Sequence, residues 1–451
     1  MAERMKAVAA AGAVAAFWLA VWVFAAALVA QPLILPGPGA VVVALLRLVC
    51  DAATWAILAG SGARILGGLA LAAVCGGVLA GASVRSRTFA RLVAPALSFV
   101  KATPVACVVV LLLIWLGSAR VSIAAVFLMA LPGVYFSLVE GLTQVDQSLE
   151  QMFHLHGVRG WRLFCAHTWR EVLPFVLSCA RAVIGMSWKA GVAAELIGMA
   201  TGTVGERIYQ AKLLIETADL LTWTVLVVAA SWACERVLVW LLRASGPVAW
   251  RTAVRAHGHG LRGRTGAASD GAAAELALAV GDRAPWAPAL DGLVLHVPAG
   301  GRTCVMGASG VGKSTLLALA AGECAPCSMV FQDVRLVEDA SALDNVLVCA
   351  DARVDASSAA ALLRLLVPGI DVHARVAEFS GGQRRRVEIA RALLCPGGAV
   401  ILDEPFTGLD IAARDACAEV VLDLLDGRML LLATHDAADA RALDISDIIT
   451  L

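Results

Sequence analysis

The chain has 451 residues, of which 60% are hydrophobic and only 16% are charged, and its mean hydropathy is +0.80. Because soluble globular proteins carry about 25% charged residues, this composition excludes a disordered chain, a collagen-like chain and a wholly soluble enzyme. Residues 1–243 carry 18 Lys/Arg against 11 Asp/Glu, or +7, and residues 244–451 carry 18 against 25, or −7. We therefore expect a basic membrane half followed by an acidic soluble half.

Six apolar segments of the first half are candidate transmembrane helices. The first has 24 residues, which is too long for the core of a cleaved signal peptide. The fifth is the weakest, since Pro174, Arg181 and Lys189 interrupt it. The predicted spans are about 7–30, 54–82, 92–117, 121–142, 172–193 and 218–242.

The distribution of Lys and Arg predicts the orientation of these spans. Basic residues concentrate at 4–6, 85–91, 159–170 and 243–255, which all fall on one side of the predicted bundle. Both termini, and with them the second half of the chain, are therefore expected in the cytoplasm.

Four charged residues are unexpected within the apolar half: Lys101, Arg181, Lys189 and Glu195. Such residues form structural ion pairs in some membrane proteins and line a polar path for a solute in others. The sequence leaves both explanations open.

The segment 144–171 is the longest predicted cytoplasmic loop of this half. It contains the pattern Glu-x6-Gly-x15-Leu-Pro, with Glu150 first and Gly157 at a break between two short helices. By itself the pattern fits a surface hairpin or an element that docks on another protein. It resembles the cytoplasmic EAA loop of permease subunits of bacterial binding-protein-dependent ABC importers, with Gln151-Met152 replacing the usual alanines. The resemblance implies that Glu150 and Gly157 couple the permease to its ATPase.

Other stretches resemble the sulfonate-, taurine- and nitrate-type branch of those permeases. They are Leu35-Pro-Gly-Pro38, Thr103-Pro104 through Trp115-Leu-Gly117, and Ala193-Ala-Glu195-Leu-Ile-Gly198 followed by Gly202-Thr-Val-Gly205. The resemblance covers residues 1–243 and implies an all-α six-helix permease bundle served by an extracytoplasmic solute-binding protein. Residues 244–274, rich in Ala, Gly, Ser and Arg, are expected to form a mobile linker.

A glycine-rich turn between an apolar strand and a helix opens the informative part of the soluble half. It matches the phosphate-binding P-loop in its required context, because glycines let backbone N–H groups close around phosphates at a helix N-terminus. We expect Lys313 to reach the β- and γ-phosphates and Ser314 to ligate Mg²⁺. The predicted nucleotide-binding residues of this turn are Gly307, Ala308, Ser309, Gly310, Val311, Gly312, Lys313, Ser314 and Thr315.

A second buried strand, Ala399-Val-Ile-Leu, ends at two carboxylates. Asp403 is placed to hold the Mg²⁺ shell, as the corresponding carboxylate of P-loop enzymes does. Glu404 is placed to polarise the attacking water as a general base.

The stretch Phe379-Ser380-Gly381-Gly382-Gln383 resembles the signature of ABC-transporter ATPases, with Phe379 in place of Leu. This resemblance covers about residues 275–451 and implies an α/β P-loop ATPase domain. It implies that Ser380, Gly381, Gly382 and Gln383 contact the γ-phosphate held by a partner subunit. It also implies that Gln332 reaches Mg²⁺, that Asp410 lies at the dimer interface, that His435 contacts the γ-phosphate and that Trp286 stacks on adenine.

One departure from the family is clear. Only 19 positions separate Lys313 from Gln332, about half of the usual number, and this interval contains Cys324-Ala-Pro-Cys327. We favour a shortened turn over a redox or half-zinc pair, since no second pair follows in order.

Together these patterns predict a fused permease and ATPase of an ABC importer in the bacterial cytoplasmic membrane. It would use ATP and Mg²⁺, work as a homodimer sharing two ATP sites, and move a small anionic or polar solute. The run Arg384-Arg-Arg386 is too narrow for a nucleic-acid surface, so no nucleic-acid partner is expected. An ABC exporter half-transporter and a non-transporting ATP-dependent sensor stay open as alternatives, and the sequence does not identify the solute.

Overall fold

The computed structural model describes residues 2–256, 275–280, 287 and 290–451. These residues form two compact units. The first unit comprises Met1–Gln144 and Val172–Ser245, and the second comprises Val145–Glu171 and Gly246–Leu451. The segment 145–171 therefore belongs to the same compact unit as the soluble half of the chain.

The first unit is helical throughout its regular structure. Among the described residues, five helices are long and apolar enough to cross a membrane, and a sixth crossing results if the helices Arg87–Ala102 and Val105–Leu116 form one bent span. Its helices, two of which continue into the second unit, are α1 (Ala2–Val29), α2 (Pro38–Cys50), α3 (Ala52–Arg85), α4 (Arg87–Ala102), α5 (Val105–Leu116), α6 (Ser118–Thr143), α9 (Trp169–Gly198), α10 (Val204–Leu213) and α11 (Thr217–Arg255).

The predicted third span, 92–117, is not one straight helix. It is the pair α4 and α5, which meet at Thr103-Pro104 with a bend of 102°. Proline lacks an N–H and disfavours helical backbone in the residue before it, and Thr103 accordingly adopts φ −76° and ψ 127°. The break thus follows from the local sequence.

The last helix of the first unit differs from the prediction at its C-terminal end. Helix α11 continues through Pro247 to Arg255, so 244–255 are helical rather than part of the predicted linker. Its last residues lie in the second unit, where Trp250 and Ala253 are buried in a hydrophobic core. That burial favours helix over coil. Residues 257–274 of the predicted linker lie outside the described residues.

Close packing between α3 and α6 depends on glycines. A Cβ at Gly68 would lie 2.5 Å from the carbonyl oxygen of Ile123, and a Cβ at Gly76 would lie 2.8 Å from Val134 Cγ1. These distances are far below normal contact, so the two helix backbones approach only because glycine occupies these positions.

Glu195 is fully buried in the first unit and is paired. Ser61 Oγ donates to Glu195 Oε2 at 2.8 Å, and Arg64 Nε donates to Oε1 at 3.1 Å. The Gly205 N–H also points to Oε2 at 3.4 Å. Of the two explanations left open for the charged residues of the apolar half, structural pairing describes Glu195.

The second unit contains an entirely parallel five-stranded sheet in the order β4-β5-β6-β3-β7, and a separate antiparallel pair of β1 and β2. Its strands are β1 (Leu276–Ala279), β2 (Val294–Val297), β3 (Arg302–Met306), β4 (Ser328–Val330), β5 (Ala399–Asp403), β6 (Met429–Thr434) and β7 (Asp447–Thr450). Its further helices are α7 (Gln147–Leu155), α8 (Gly160–Leu163), α12 (Lys313–Glu323), α13 (Ala342–Leu347), α14 (Ala356–Leu366), α15 (Gly381–Leu394), α16 (Ile411–Asp423) and α17 (Ala437–Ala442), with a π-helical turn at Phe164–Thr168.

The segment 145–171, which we call the hairpin, shares a hydrophobic core with the sheet. Met152 and Phe153 of α7 are fully buried, in the same cluster as Val305 of β3 and Ile401 of β5. The hairpin is therefore part of the folded body that carries the P-loop, rather than a surface appendage.

The glycine contact in the first unit yields a stability prediction. We expect Gly68→Ala to destabilise the protein by about 1–3 kcal/mol, because the added methyl collides with backbone that has little room to move. The melting temperature of the purified full chain in detergent measures this effect. Gly67→Ala is the matched control, since its Cβ meets nothing within 4 Å; equal melting of the two variants would contradict close packing at Gly68.

Candidate functional site

The glycine-rich turn joins the C-terminal end of β3 to the first residue of α12. Gly310 and Gly312 have φ of +85° and +111°, which only glycine adopts without strain. The turn wraps around the side chain of Lys313, whose Nζ donates to the carbonyl oxygens of Gly307 at 2.8 Å and Ala308 at 3.1 Å. The lysine charge and the N-terminus of α12 are thus held beside one another, which is an arrangement that binds phosphate.

Asp403 ends β5 beside this turn. Burial raises the pKa of Asp403, whereas a hydrogen bond from the Ser314 hydroxyl acts in the opposite direction. Its Oδ1 is buried and has no hydrogen-bond partner among the described residues. A buried carboxylate oxygen without a partner, next to a hydroxyl oxygen, fits a divalent cation such as Mg²⁺. Ser314 and Asp403 are the residues that would hold it.

Glu404 follows with a strained backbone, φ +46°, and its N–H donates to the Ala433 carbonyl at 2.9 Å. His435, just after β6, places Nδ1 3.2 Å from Glu404 Oε1. Thr407 Oγ1 lies 3.4 Å from Oε2. The Glu404 side chain is only 12% exposed, whereas that of His435 is 61% exposed. The side chains of His435 and Thr407 therefore orient the Glu404 carboxylate, which is largely buried.

These elements meet around one cavity of about 160 Å³. It brings together the turn, the start of α12, the carboxylate after β5 and a glutamine after β4. The lining residues are Ser309, Gly310, Gly312, Lys313, Ser314, Thr315, Gln332 and Glu404. The arrangement can bind a Mg²⁺-nucleotide through its phosphates and present a base to the terminal phosphate.

A buried ionic network, whose residues are not among those predicted for the site, holds the segment that contains Gln332. Glu388 of α15 is fully buried between Arg385 at 3.0 Å and Arg391 at 3.3 Å, and burial raises its pKa. Arg385 also donates to the carbonyl oxygens of Phe331 and Gln332. Arg385, Glu388 and Arg391 are spaced three residues apart, which puts them on one helix face. This spacing is visible in the sequence and could have predicted the ion pairs.

The signature-like residues start helix α15. Ser380 caps the helix, with the Gln383 N–H 3.3 Å from Ser380 Oγ and the Ser380 N–H donating to Gln383 Oε1 at 2.9 Å. A Cβ at Gly382 would lie 3.3 Å from Leu409 Cδ2, in the segment that ends at Asp410. Ser380, Gly381, Gly382 and Gln383 are not among the residues that line the cavity around Lys313.

The remaining predicted site residues are Trp286, Glu150 and Gly157. Trp286 lies outside the described residues. Glu150 is on α7, 3.8 Å from His154. Gly157 follows α7 with φ +78°, so the structure has the predicted glycine turn of the hairpin.

The pair Cys324 and Cys327 occupies the four-residue connection between α12 and β4. Both thiols are free. Burial raises the pKa of Cys327 to about 12, so this thiol is protonated at neutral pH and is a poor nucleophile. This geometry agrees with a shortened turn.

Two protein families match separate parts of the chain. The family of binding-protein-dependent transport system inner membrane components matches residues 73–248, and the ABC transporter family matches residues 290–407. The aliphatic sulfonates import ATP-binding protein SsuB of Escherichia coli (strain K12) is 36% identical over 176 residues, which are 34% of this chain and 68% of that protein. SsuB 1 of Rhizobium johnstonii is 36% identical over 175 residues, 34% of this chain and 64% of that protein.

Among solved structures, a dimeric ATP-binding cassette bound to ADP and Pi is 24% identical, with a TM-score of 0.33. The matched region covers 36% of this chain and 86% of the cassette. The chain spans about two thirds of the length of the curated relatives that it matches.

The position of Glu404 yields a prediction for the phosphate site. We expect Glu404→Gln to bind Mg-ATP with unchanged affinity but to hydrolyse it about 10²- to 10⁴-fold more slowly, because the amide cannot accept a proton from water. Nucleotide binding and phosphate release by the full chain measure the two effects. Lys313→Ala is the contrasting variant, which should lose binding itself. Hydrolysis at the parental rate by Glu404→Gln would show that another group is the base.

Proposed function

The chain belongs to the ABC transporter family, and from that premise we propose that it is a fused permease and ATPase that imports a small anionic solute. Hydrolysis of ATP in the second unit would drive the movement of solute through the first. The names of the SsuB relatives make aliphatic sulfonates the first solutes to test. The charge distribution supports an inner-membrane location with both termini and the ATPase in the cytoplasm.

In this proposal each residue of the phosphate site has one role. Lys313 and the N–H groups of the glycine turn bind the β- and γ-phosphates, and Ser314 and Asp403 hold Mg²⁺, which neutralises phosphate charge when bound. Glu404 accepts a proton from the attacking water. His435 orients Glu404 through the contact at 3.2 Å and faces the terminal phosphate with its exposed side.

The observation that carries the importer proposal is the attachment of the hairpin to the ATPase. The Leu155 carbonyl accepts from the Cys327 N–H at 3.0 Å, just before β4, and the Ser148 carbonyl accepts from Arg335 Nη1 at 3.1 Å, three residues after Gln332. The hairpin therefore contacts the chain on both sides of the glutamine that lines the cavity. A movement of the segment that carries Gln332 on nucleotide binding, together with the elements packed against it, would carry the hairpin with it and be passed along α9 to the permease.

The positions of the signature residues support a homodimer. Because Ser380 does not line the cavity around Lys313 within one chain, a second chain can supply it. Two such chains would close two identical ATP sites. An extracytoplasmic binding protein would deliver the solute.

Shared sites can be tested by complementation between two differently tagged copies of the full chain. A pair with Lys313→Ala in one copy and Ser380→Arg in the other keeps one intact site if sites are shared. A pair with both changes in one copy and none in the other keeps no intact site. We expect the first pair, purified through both tags, to hydrolyse ATP faster than the second; the reverse order would mean that each site is built within one chain.

Coupling can be tested at Gly157. A β-branched residue at φ +78° costs about 1–3 kcal/mol of backbone strain, so Gly157→Val should distort the turn of the hairpin. Sulfonate uptake by proteoliposomes, and stimulation of the ATPase by the binding protein, should fall together. Binding of ATP at Lys313 should be unchanged.

Gly157→Asn is the matched control for this experiment. Asparagine tolerates the left-handed region, and the added Cβ would have room, 3.6 Å from Pro326 Cβ. It should therefore retain more uptake than Gly157→Val. Normal uptake by the valine variant would contradict a coupling role for the hairpin.

A further inference from the structure

Three metal-binding side chains meet inside the second unit, away from the phosphate cavity. They are His156, directly after α7, Cys349, shortly after α13, and Cys395, directly after α15. One ligand atom of each lies within 4.8 Å of the others. Their exposures are 1%, 2% and 4%, so three distant segments of the chain converge on one enclosed point.

The histidine in this cluster is incompletely satisfied. Its Nε2 accepts a hydrogen bond from the Met329 N–H at 3.2 Å, whereas its buried Nδ1 has no hydrogen-bond partner in the described part of the chain. A buried cysteine is common as a small apolar residue, but a buried imidazole nitrogen without a partner is costly. The His156 side chain interacts with the Cys349 thiol, but no hydrogen bond of normal geometry reaches Nδ1, which is therefore open to a ligand.

We propose that His156, Cys349 and Cys395 form a binding site for a thiophilic d¹⁰ cation, Zn²⁺ or Cu⁺. Thiolate sulfur selects these ions over Mg²⁺ or Ca²⁺, and imidazole nitrogen suits both. Three protein ligands complete a trigonal site, or leave the fourth position of a tetrahedral Zn²⁺ site to a small exogenous ligand. The two thiols lose their protons when the ion binds.

Charge balance is compatible with a cation at this point. Arg162 and Arg428 lie close enough to the thiols for their charges to interact with them. Both guanidinium groups are directed to backbone carbonyls, Arg162 to Val348 at 2.6 Å and Arg428 to Leu424 at 2.6 Å. Two thiolates cancel the charge of Zn²⁺ and exceed that of Cu⁺, so the complex carries no positive charge for these arginines to repel.

Binding costs one existing contact. A coordinating neutral imidazole has its lone pair on the metal-bound nitrogen and its proton on the other, so the Met329 N–H loses its acceptor on Nε2 in either case. The Met329 N–H, and for coordination through Nδ1 also the Nε2–H, are then donors without acceptors, a cost that two sulfur–metal bonds and one nitrogen–metal bond must offset.

The site would fasten the hairpin to the ATPase. His156 belongs to the hairpin, whereas Cys349 and Cys395 belong to the helical layer that packs on the sheet. The ion would connect them through bonds stronger than the hydrogen bonds of Leu155 and Ser148. This inference needs only the fold of the second unit and holds whether or not the chain transports a solute.

The test measures metal directly on the full chain, purified in detergent with a phosphine reductant. After chelator treatment, the protein is loaded with Zn²⁺, or anaerobically with Cu⁺, and passed through gel filtration before elemental analysis. We expect one ion per chain. Zn²⁺ retention, with the intense visible bands of tetrahedral Co²⁺ after substitution, would assign a zinc site; Cu⁺ retention against bicinchoninate without Zn²⁺ retention would assign a copper site.

Variants then establish the ligands. Cys349→Ser, Cys395→Ser and His156→Gln should each weaken metal affinity by more than the roughly 10- to 100-fold that changes outside the ligand set cause. Glutamine still offers the Met329 N–H an oxygen, so it removes the ligand and keeps the hydrogen bond. Cys417→Ser is the control, because Cys417 is a buried free thiol that is not a member of this cluster.

Two results would overturn the proposal. One is that the unaltered chain retains neither ion after gel filtration. The other is that Cys349→Ser or His156→Gln retains as much metal as Cys417→Ser, which would indicate adventitious binding elsewhere. If a variant misfolds, the sulfur-to-metal charge-transfer absorption of the unaltered chain decides, measured with Co²⁺ for a zinc site or with Cu⁺ for a copper site, since its absence from the loaded chain excludes thiolate ligands.

Discussion

The second unit depends on one constraint: the hairpin and the parallel sheet bury their apolar side chains in the same core. Met152 and Phe153 on α7 are fully buried, as is Val305 on β3, the strand that precedes the P-loop. Burial of a side chain of this size contributes about 1.5–3 kcal/mol. Separating the hairpin from the ATPase would therefore cost several kcal/mol, and small rearrangements in which the two move together are favoured over dissociation.

Near the phosphate site, one segment is held by buried contacts, whereas another is exposed to solvent. The fully buried Glu388, with Arg385 and Arg391, fixes the backbone around Gln332 from the side of α15. By contrast, His435, whose Nδ1 contacts Glu404 Oε1, is 61% exposed. The buried network sets the position of the glutamine segment, whereas the exposed histidine is free to respond to a nucleotide or to a second chain. Because desolvation offsets much of the attraction within a buried ion pair, this network is weak evidence for added stability.

The sequence predicted the parts whose local chemistry is complete within a few residues. The strand, glycine turn and helix around Lys313 form as expected, because positive φ at Gly310 and Gly312 and the apolar β3 are local properties. The fused permease and ATPase and the α/β class of the second half are confirmed by the family matches. The roles of the individual site residues stay predictions.

Features that depend on distant contacts were not predicted. The extension of α11 to Arg255 requires the core that buries Trp250. The family resemblance implied that the hairpin couples to the ATPase, but its contact with β4 was not predicted. The bend at Thr103-Pro104 could have been predicted from the sequence, since proline disfavours helix in the preceding residue. It was not predicted because residues 92–117 form an apolar segment long enough for one straight transmembrane helix.

The short interval between Lys313 and Gln332 acquires a structural explanation from the hairpin. Strand β4 lies at the edge of the sheet, and an edge strand presents N–H groups that need a partner. Here the N–H groups of Cys327 and Met329 donate to the Leu155 carbonyl at 3.0 Å and to His156 Nε2 at 3.2 Å. The tight connection after α12 brings β4 directly under the hairpin, with Pro326 beside Gly157. In this chain the hairpin thus covers the sheet edge as well as contacting the glutamine segment, so the shortened interval and the docking of the hairpin are two parts of one arrangement.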